Sequence, residues 1–179
     1  MSVRMASGAG KASAGLFEAA LKFLKRAEKR ARPGRMTPHF REHVFKGDVK
    51  PGMSKGSGYH YRPGGRDWPG RRLKPGSKVT DLKTGAYRAK PEFFDPAMNP
   101  PHGSWKPKNG PNGGESSFFP DHWTPAQVDA AIPGGFQNSS PVPGFPNKWR
   151  GVYNGVTIEG FYDTTPGSIG YTHGWPIVP

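Results

Sequence analysis

A chain of 179 residues with 26 glycines, 21 prolines and 33% apolar residues can bury one core, but as short elements and long loops rather than a helical bundle. Its net charge of +13 selects polyanionic partners: nucleic acid, an anionic membrane surface or an acidic protein. The absence of cysteine excludes disulfide scaffolds, thiol nucleophiles and cysteine-bound zinc, and no run approaches the roughly 18 apolar residues that read as a membrane span.

Residues 1–12 are small and polar and read as disordered, without the apolar core and cleavage pattern of a secretory leader. From Ser13 to Arg32 the spacing predicts a helix. Leu16, Phe17, Ala20, Leu21, Leu24, Ala27 and Ala31 form its apolar stripe, and Lys22, Lys25, Arg26, Lys29 and Arg30 lie largely between them. Pro33-Gly34 ends it. The basic face could lie on nucleic acid, but solvated charge is the commoner use of such a face. Residues 1–35 are therefore expected to be a linker, and 36–179 the functional domain.

Thr37-Pro38 opens a second, short helix, with Thr37 as N-cap and Pro38 at the first helical position. It carries His39 and His43 one turn apart, a spacing compatible with a shared metal. There is no HExxH pattern and no third ligand, so neither a metal nor any other cofactor is expected. From His43 the chain runs through a loop containing Gly47, Gly52, Gly56 and Gly58 to His60. Two imidazoles brought together by a basic, glycine-rich loop suit general acid/base work on a phosphodiester, because histidine can serve in either role near neutral pH. Taken alone, two histidines are more often surface groups. The order of the motifs that follow raises them to candidates.

Residues 62–114 are dominated by proline, glycine and basic residues and read as an irregular insertion with one strand near Lys78–Leu82. Trp68, Tyr87, Phe93, Phe94 and Trp105 alternate with cations there. They serve either to stack on single-stranded RNA or to pin the segment to the domain. Regular structure returns at Ser116 as a short strand. A helix follows, with Thr124 as N-cap, Pro125 in its first turn and Gln127 completing a capping box; Pro133-Gly134-Gly135 stops it. After a loop (136–147), strands Lys148–Tyr153 and Val156–Tyr162 are turned by Asn154-Gly155. A last strand, Ser168–Thr172, leads into His173-Gly174-Trp175-Pro176. The class is α+β: N-terminal helices, then a small antiparallel sheet packed with a helix, rich in loops.

The order helix–His43, glycine loop–His60, Ser-Phe-Phe-Pro before a capped helix, Asn-Gly hairpin and terminal Thr-x-x-Trp-Pro resembles the bacterial EndoU ribonucleases. These are toxin domains at the C-termini of polymorphic and contact-dependent inhibition proteins. The likeness spans residues 36–178, with 62–114 unmatched. It implies an EndoU/RNase A-like toxin fold and a metal-independent endoribonuclease, often preferring uridine, that leaves a 2′,3′-cyclic phosphate and a 5′-hydroxyl. His43 and His60 become the acid/base pair, with His60 as base by analogy. The family's terminal Thr-x-Tyr-Pro is here Tyr171-Thr172-His173-Gly174-Trp175-Pro176. Thr172 matches the threonine if one residue is inserted, and Trp175 then replaces the tyrosine as a stacking surface. Otherwise His173 takes the threonine's place, and Tyr171 could supply the phenol. Where the family carries a lysine before Phe-Phe-Pro, this chain has Glu115-Ser116-Ser117. The cation must then come from Lys108 or Lys106, or Ser116 or Ser117 must donate a neutral hydrogen bond. The resemblance further implies an RNA substrate such as tRNA, an acidic immunity protein, a monomer when free, and delivery to the cytoplasm of a target cell. The competing readings are a metal-dependent nuclease using Asp121-His122 or His39/His43, and a non-catalytic RNA-binding protein.

Overall fold

The computed structural model describes residues 3–28, 32–50 and 54–179. Helix α1 (Val3–Glu28) begins well ahead of Ser13, so the disorder expected from Val3 onward is replaced by helix. Ala6, Ala9 and Ala12 are good helix formers, yet they carry no apolar period by which to be recognised. The predicted extension over residues 29–31 lies outside the described residues, as does Gly52. The stripe itself is no linker face. Ala20, Leu24 and Ala27 are buried, the Phe17 ring lies 4.9 Å from that of Trp68, and Phe23 stacks on Phe45.

Helix α2 (Pro38–Phe45) is capped as predicted, with the Thr37 hydroxyl accepting from the Phe40 amide. Its buried Arg41 donates to Asp129 at 2.8 Å, which ties it to the later helix. A 3-10 turn, η1 (Pro63–Gly65), follows, and then five strands where one was expected: β1 (Arg71–Leu73), β2 (Val79–Thr80), β3 (Tyr87–Ala89), β4 (Pro91–Asp95) and β5 (Ser104–Pro107). Strands of two to five residues broken by Pro and Gly give no readable alternation. Strands β1, β4 and β5 form one antiparallel sheet, in the order β1-β4-β5. Trp68, Tyr87 and Phe93 are buried, which settles these three as pins. Phe94 and Trp105 are half-buried against each other, with the Arg72 guanidinium 4.1 Å above the Trp105 ring.

A single turn, α3 (Pro111–Gly114), precedes β6 (Ser116–Phe118), which joins β2 and β3 in a second three-stranded sheet. Helix α4 (Pro125–Gln137) has the full capping box on Thr124 and Gln127. It runs through Pro133-Gly134-Gly135, where the sequence places its end. Packing overrides the breaker signal: Phe136 sits against Trp149 and Tyr171, and a Cβ on Gly134 would overlap the Tyr153 ring. Asn138 makes the stop, its side-chain oxygen accepting from the Val152 amide at 3.0 Å.

The last sheet has the order β10-β9-β8-β7, from β7 (Ser140–Val142), β8 (Phe145–Tyr153), β9 (Val156–Tyr162) and β10 (Tyr171–Ile177). Strand β7 comes out of the predicted loop. The hairpin turns at Asn154-Gly155 with φ of 47° and 78°, the left-handed pair such a turn requires. Strand β10 starts later than expected and takes in the whole His173–Pro176 motif. The α+β class holds, with few helices and small antiparallel sheets.

Candidate active site

The two histidines are set by the end of α2. The last carbonyls of a helix lack intrahelical partners. Here the His43 carbonyl accepts from the Tyr59 amide at 3.0 Å and the Val44 carbonyl from the His60 amide at 2.7 Å. The returning segment is therefore fixed to the helix that carries the other histidine. Gly58 permits this approach: its φ is +74°, and a Cβ would overlap the His43 carbonyl. The loop between them is closed at its root by paired hydrogen bonds of Asp48 and Ser57. On the other side the His60 carbonyl accepts from Phe119, just beyond β6.

Each imidazole is held through Nδ1. His43 faces the Asp48 carboxylate at 2.6 Å, and His60 the Ser117 carbonyl at 2.7 Å. Both acceptors lack a proton, so each Nδ1 is the donor and Nε2 is left for chemistry. Burial pushes the His60 pKa well below the ordinary 6.5, and the nearby Lys108 pushes the same way. Burial also lowers His43, but Asp48 opposes it. The two side chains line one open cleft of about 610 Å³.

Lys108 enters the same cleft. Its amine donates to Ser116 Oγ at 2.8 Å, and that hydroxyl donates to the Tyr59 carbonyl. Burial lowers the Lys108 pKa to about 7. A bridge to Gly56 holds its backbone, and Gly114 leaves the room that its carbonyl needs. Lys106, the other lysine considered, is buried against Asp95 in the β4–β5 sheet, away from the cleft.

Strand β10 closes the opposite wall. Tyr171 pairs with Tyr162 and Gly174 with Gly160, so β10 carries one residue more than β9 over this step. Such a bulge resets the alternation of faces. It turns Gly174 inward and Trp175 to the cleft, where the indole lies 6.3 Å from His60 at 26°. His173 also faces the cleft, stacked on Phe40 and edge-on to His43 at 4.8 Å. Burial lowers its pKa to about 3.

Two expected positions fall elsewhere. Tyr171 is 3% exposed and its hydroxyl donates to the Gly34 carbonyl, so the bulge places this phenol in the core. Thr172 lies beside the cleft, its hydroxyl 3.0 Å from His173 Nδ1. His43, His60, Lys108, Ser116, Ser117, His173 and Trp175 are brought together.

Sequence reasoning missed Arg88, Lys148 and Phe161, which line the same cleft. Lys148 and Phe161 are cross-strand partners in the hairpin, a register that follows from the Asn154-Gly155 turn and could have been read. Arg88 gave no signal, since β3 is too short to show a face. Among the described residues, no three His, Asp or Glu side chains gather as a metal site would require. His39 is exposed against Phe40, and Asp121 accepts from Tyr87 and Lys78.

The family model for the bacterial EndoU nuclease matches residues 38–177. No curated protein and no solved structure matches the chain.

Proposed function

Because the chain belongs to the bacterial EndoU nuclease family, we propose that it is an endoribonuclease that cuts RNA through the 2′-hydroxyl, without a metal in the step. His60 Nε2 takes the 2′-hydroxyl proton, O2′ attacks phosphorus, and His43 gives its proton to the departing 5′ oxygen. The products are a 2′,3′-cyclic phosphate and a 5′-hydroxyl. His60 ends protonated and His43 neutral, and exchange with water restores both. Charge on the phosphorane is met by Lys108, which an approaching phosphate would keep protonated.

One observation carries this reading: two imidazoles, each tied at Nδ1, share a cleft with a buried amine. The neutral-favouring site of His60 suits a base, and the carboxylate behind His43 suits an acid. The extra residue in β10 supports Thr172 as the counterpart of the family's threonine and Trp175 as a base-stacking face. Thr172 then acts through His173 as a positioning residue.

The charge of +13 supports an RNA substrate and an acidic immunity protein that blocks the domain in its own cell. On this reading the domain is a monomer when free and a toxin in interbacterial competition, working in the target-cell cytoplasm.

Incubation with total RNA in excess EDTA, followed by end-group analysis, tests the chemistry. Cyclic phosphate ends should form, and His43→Ala or His60→Ala should lose about 10²–10⁴-fold in rate with circular dichroism unchanged. Cleavage that appears only with added Mg²⁺ or Zn²⁺ would overturn it. RNA binding without cutting under any metal would leave a binding protein.

A further inference from the structure

Next to the catalytic cleft lies a second pocket of about 500 Å³. Ser57 and Asn109 line both. The second is walled further by Asp48, Lys50, Ser54 and Lys55. Its rim is anchored: Asp48 and Ser57 exchange backbone hydrogen bonds, and the Asn109 amide donates to the Gly56 carbonyl at 2.7 Å. Lys50 and Lys55 are exposed and, among the described residues, take no salt-bridge partner. The one anion in the wall, Asp48, already accepts from His43.

The chemistry gives this pocket a place along the substrate. In 2′-hydroxyl attack, the nucleotide that keeps the phosphate lies 5′ of the cut and the leaving oxygen belongs to the nucleotide on its 3′ side. In-line displacement puts base and acid on opposite sides of phosphorus. The base, His60, has Trp175 stacked beside it. The acid, His43, has Asp48 behind it, and Asp48 lines the second pocket.

We propose that the Lys50/Lys55 pocket is the subsite for the phosphodiester backbone 3′ of the scissile bond, so that RNA crosses the protein from Trp175 on its 5′ side to Lys50 and Lys55 on its 3′ side. The assignment rests on the roles given to His43 and His60 above. The two lysines supply point charges and Ser54 and Asn109 supply hydrogen-bonding groups, a set suited to gripping the phosphate backbone.

The test uses deoxyoligonucleotides that carry one ribonucleotide, of each base in turn, extended stepwise on the 5′ or the 3′ side. With the intact protein, 3′ extension should raise kcat/KM by about tenfold or more, the size of a charge-assisted contact. In a Lys50→Ala/Lys55→Ala variant that gain should shrink towards onefold. The salt slope on 3′-extended substrates should fall by about 0.7 per lysine. Gain that survives in the variant, or loss that falls on 5′-extended substrates, overturns the assignment. Intact protein that cuts none of these substrates removes the 2′-hydroxyl chemistry and the subsite with it.

Discussion

At the scale of residues, the pair His43–Asp48 and the amine of Lys108 decide how the rate should follow pH. The proposed step needs His60 neutral, and His43 and Lys108 protonated. His43 loses its proton below the ordinary 6.5 and Lys108 at about 7. The kcat/KM profile should therefore peak on the acid side of neutrality, and its alkaline limb should become second order in proton concentration above pH 7. Lys108→Arg stays charged throughout, so its limb should be first order. Asp48 raises the His43 pKa, so Asp48→Asn should move the start of that limb to lower pH. A limb unmoved in Asp48→Asn would deny Asp48 its influence on the acid. These groups were legible to different degrees. His43 and His60 could be named from residue type and motif order, and Lys108 only as one of two lysines, beside Lys106. Tyr171 was misjudged because a one-residue bulge leaves no mark in composition and reverses which side chains face inward.

At the scale of elements, the site depends on one crossing, where the segment carrying His60 passes over the end of α2. Gly58→Ala would force a side chain against the His43 carbonyl in a left-handed conformation. It should destabilise the protein by about 1–3 kcal/mol and depress activity further than that, because both histidines lose their mutual placement. Urea unfolding together with the RNA assay checks this. An active variant of normal stability would show the crossing to be adaptable. Helix α1 makes a second case. Its stripe was readable, but its destination was not, because periodicity shows that a face is apolar and not what covers it. Leu24 is 5% exposed, so Leu24→Ala should cost about 2–5 kcal/mol by urea unfolding, as a core residue does and a linker residue does not. The strands of residues 62–114 stayed illegible for another reason: they are shorter than one alternation can reveal. Long-range pairing, as in β3 with β6, defines them.

At the scale of the whole molecule, the buried imidazoles link stability to acid. His43, His60 and His173 all titrate below 6.5 in the folded protein, so the unfolded chain takes up protons that the folded one refuses. Their stabilising contribution is complete above about pH 6.5 and is lost as pH falls from there towards the folded values. Each can add up to about 1.4 kcal/mol per pH unit to the slope. Unfolding free energy should start to decline near pH 6.5, well above the carboxylate range, and His173→Gln should flatten the decline. A curve flat down to pH 5 would contradict this. The bulge in β10 has a different kind of consequence. The histidines stand on α2 and on the segment that returns to it, while the wall facing them is a strand whose outward side chains change over with the gain or loss of a single residue. Gain or loss of one residue in β10 would therefore exchange the side chains offered to the cleft, while His43 and His60 keep their places on α2 and the segment that returns to it.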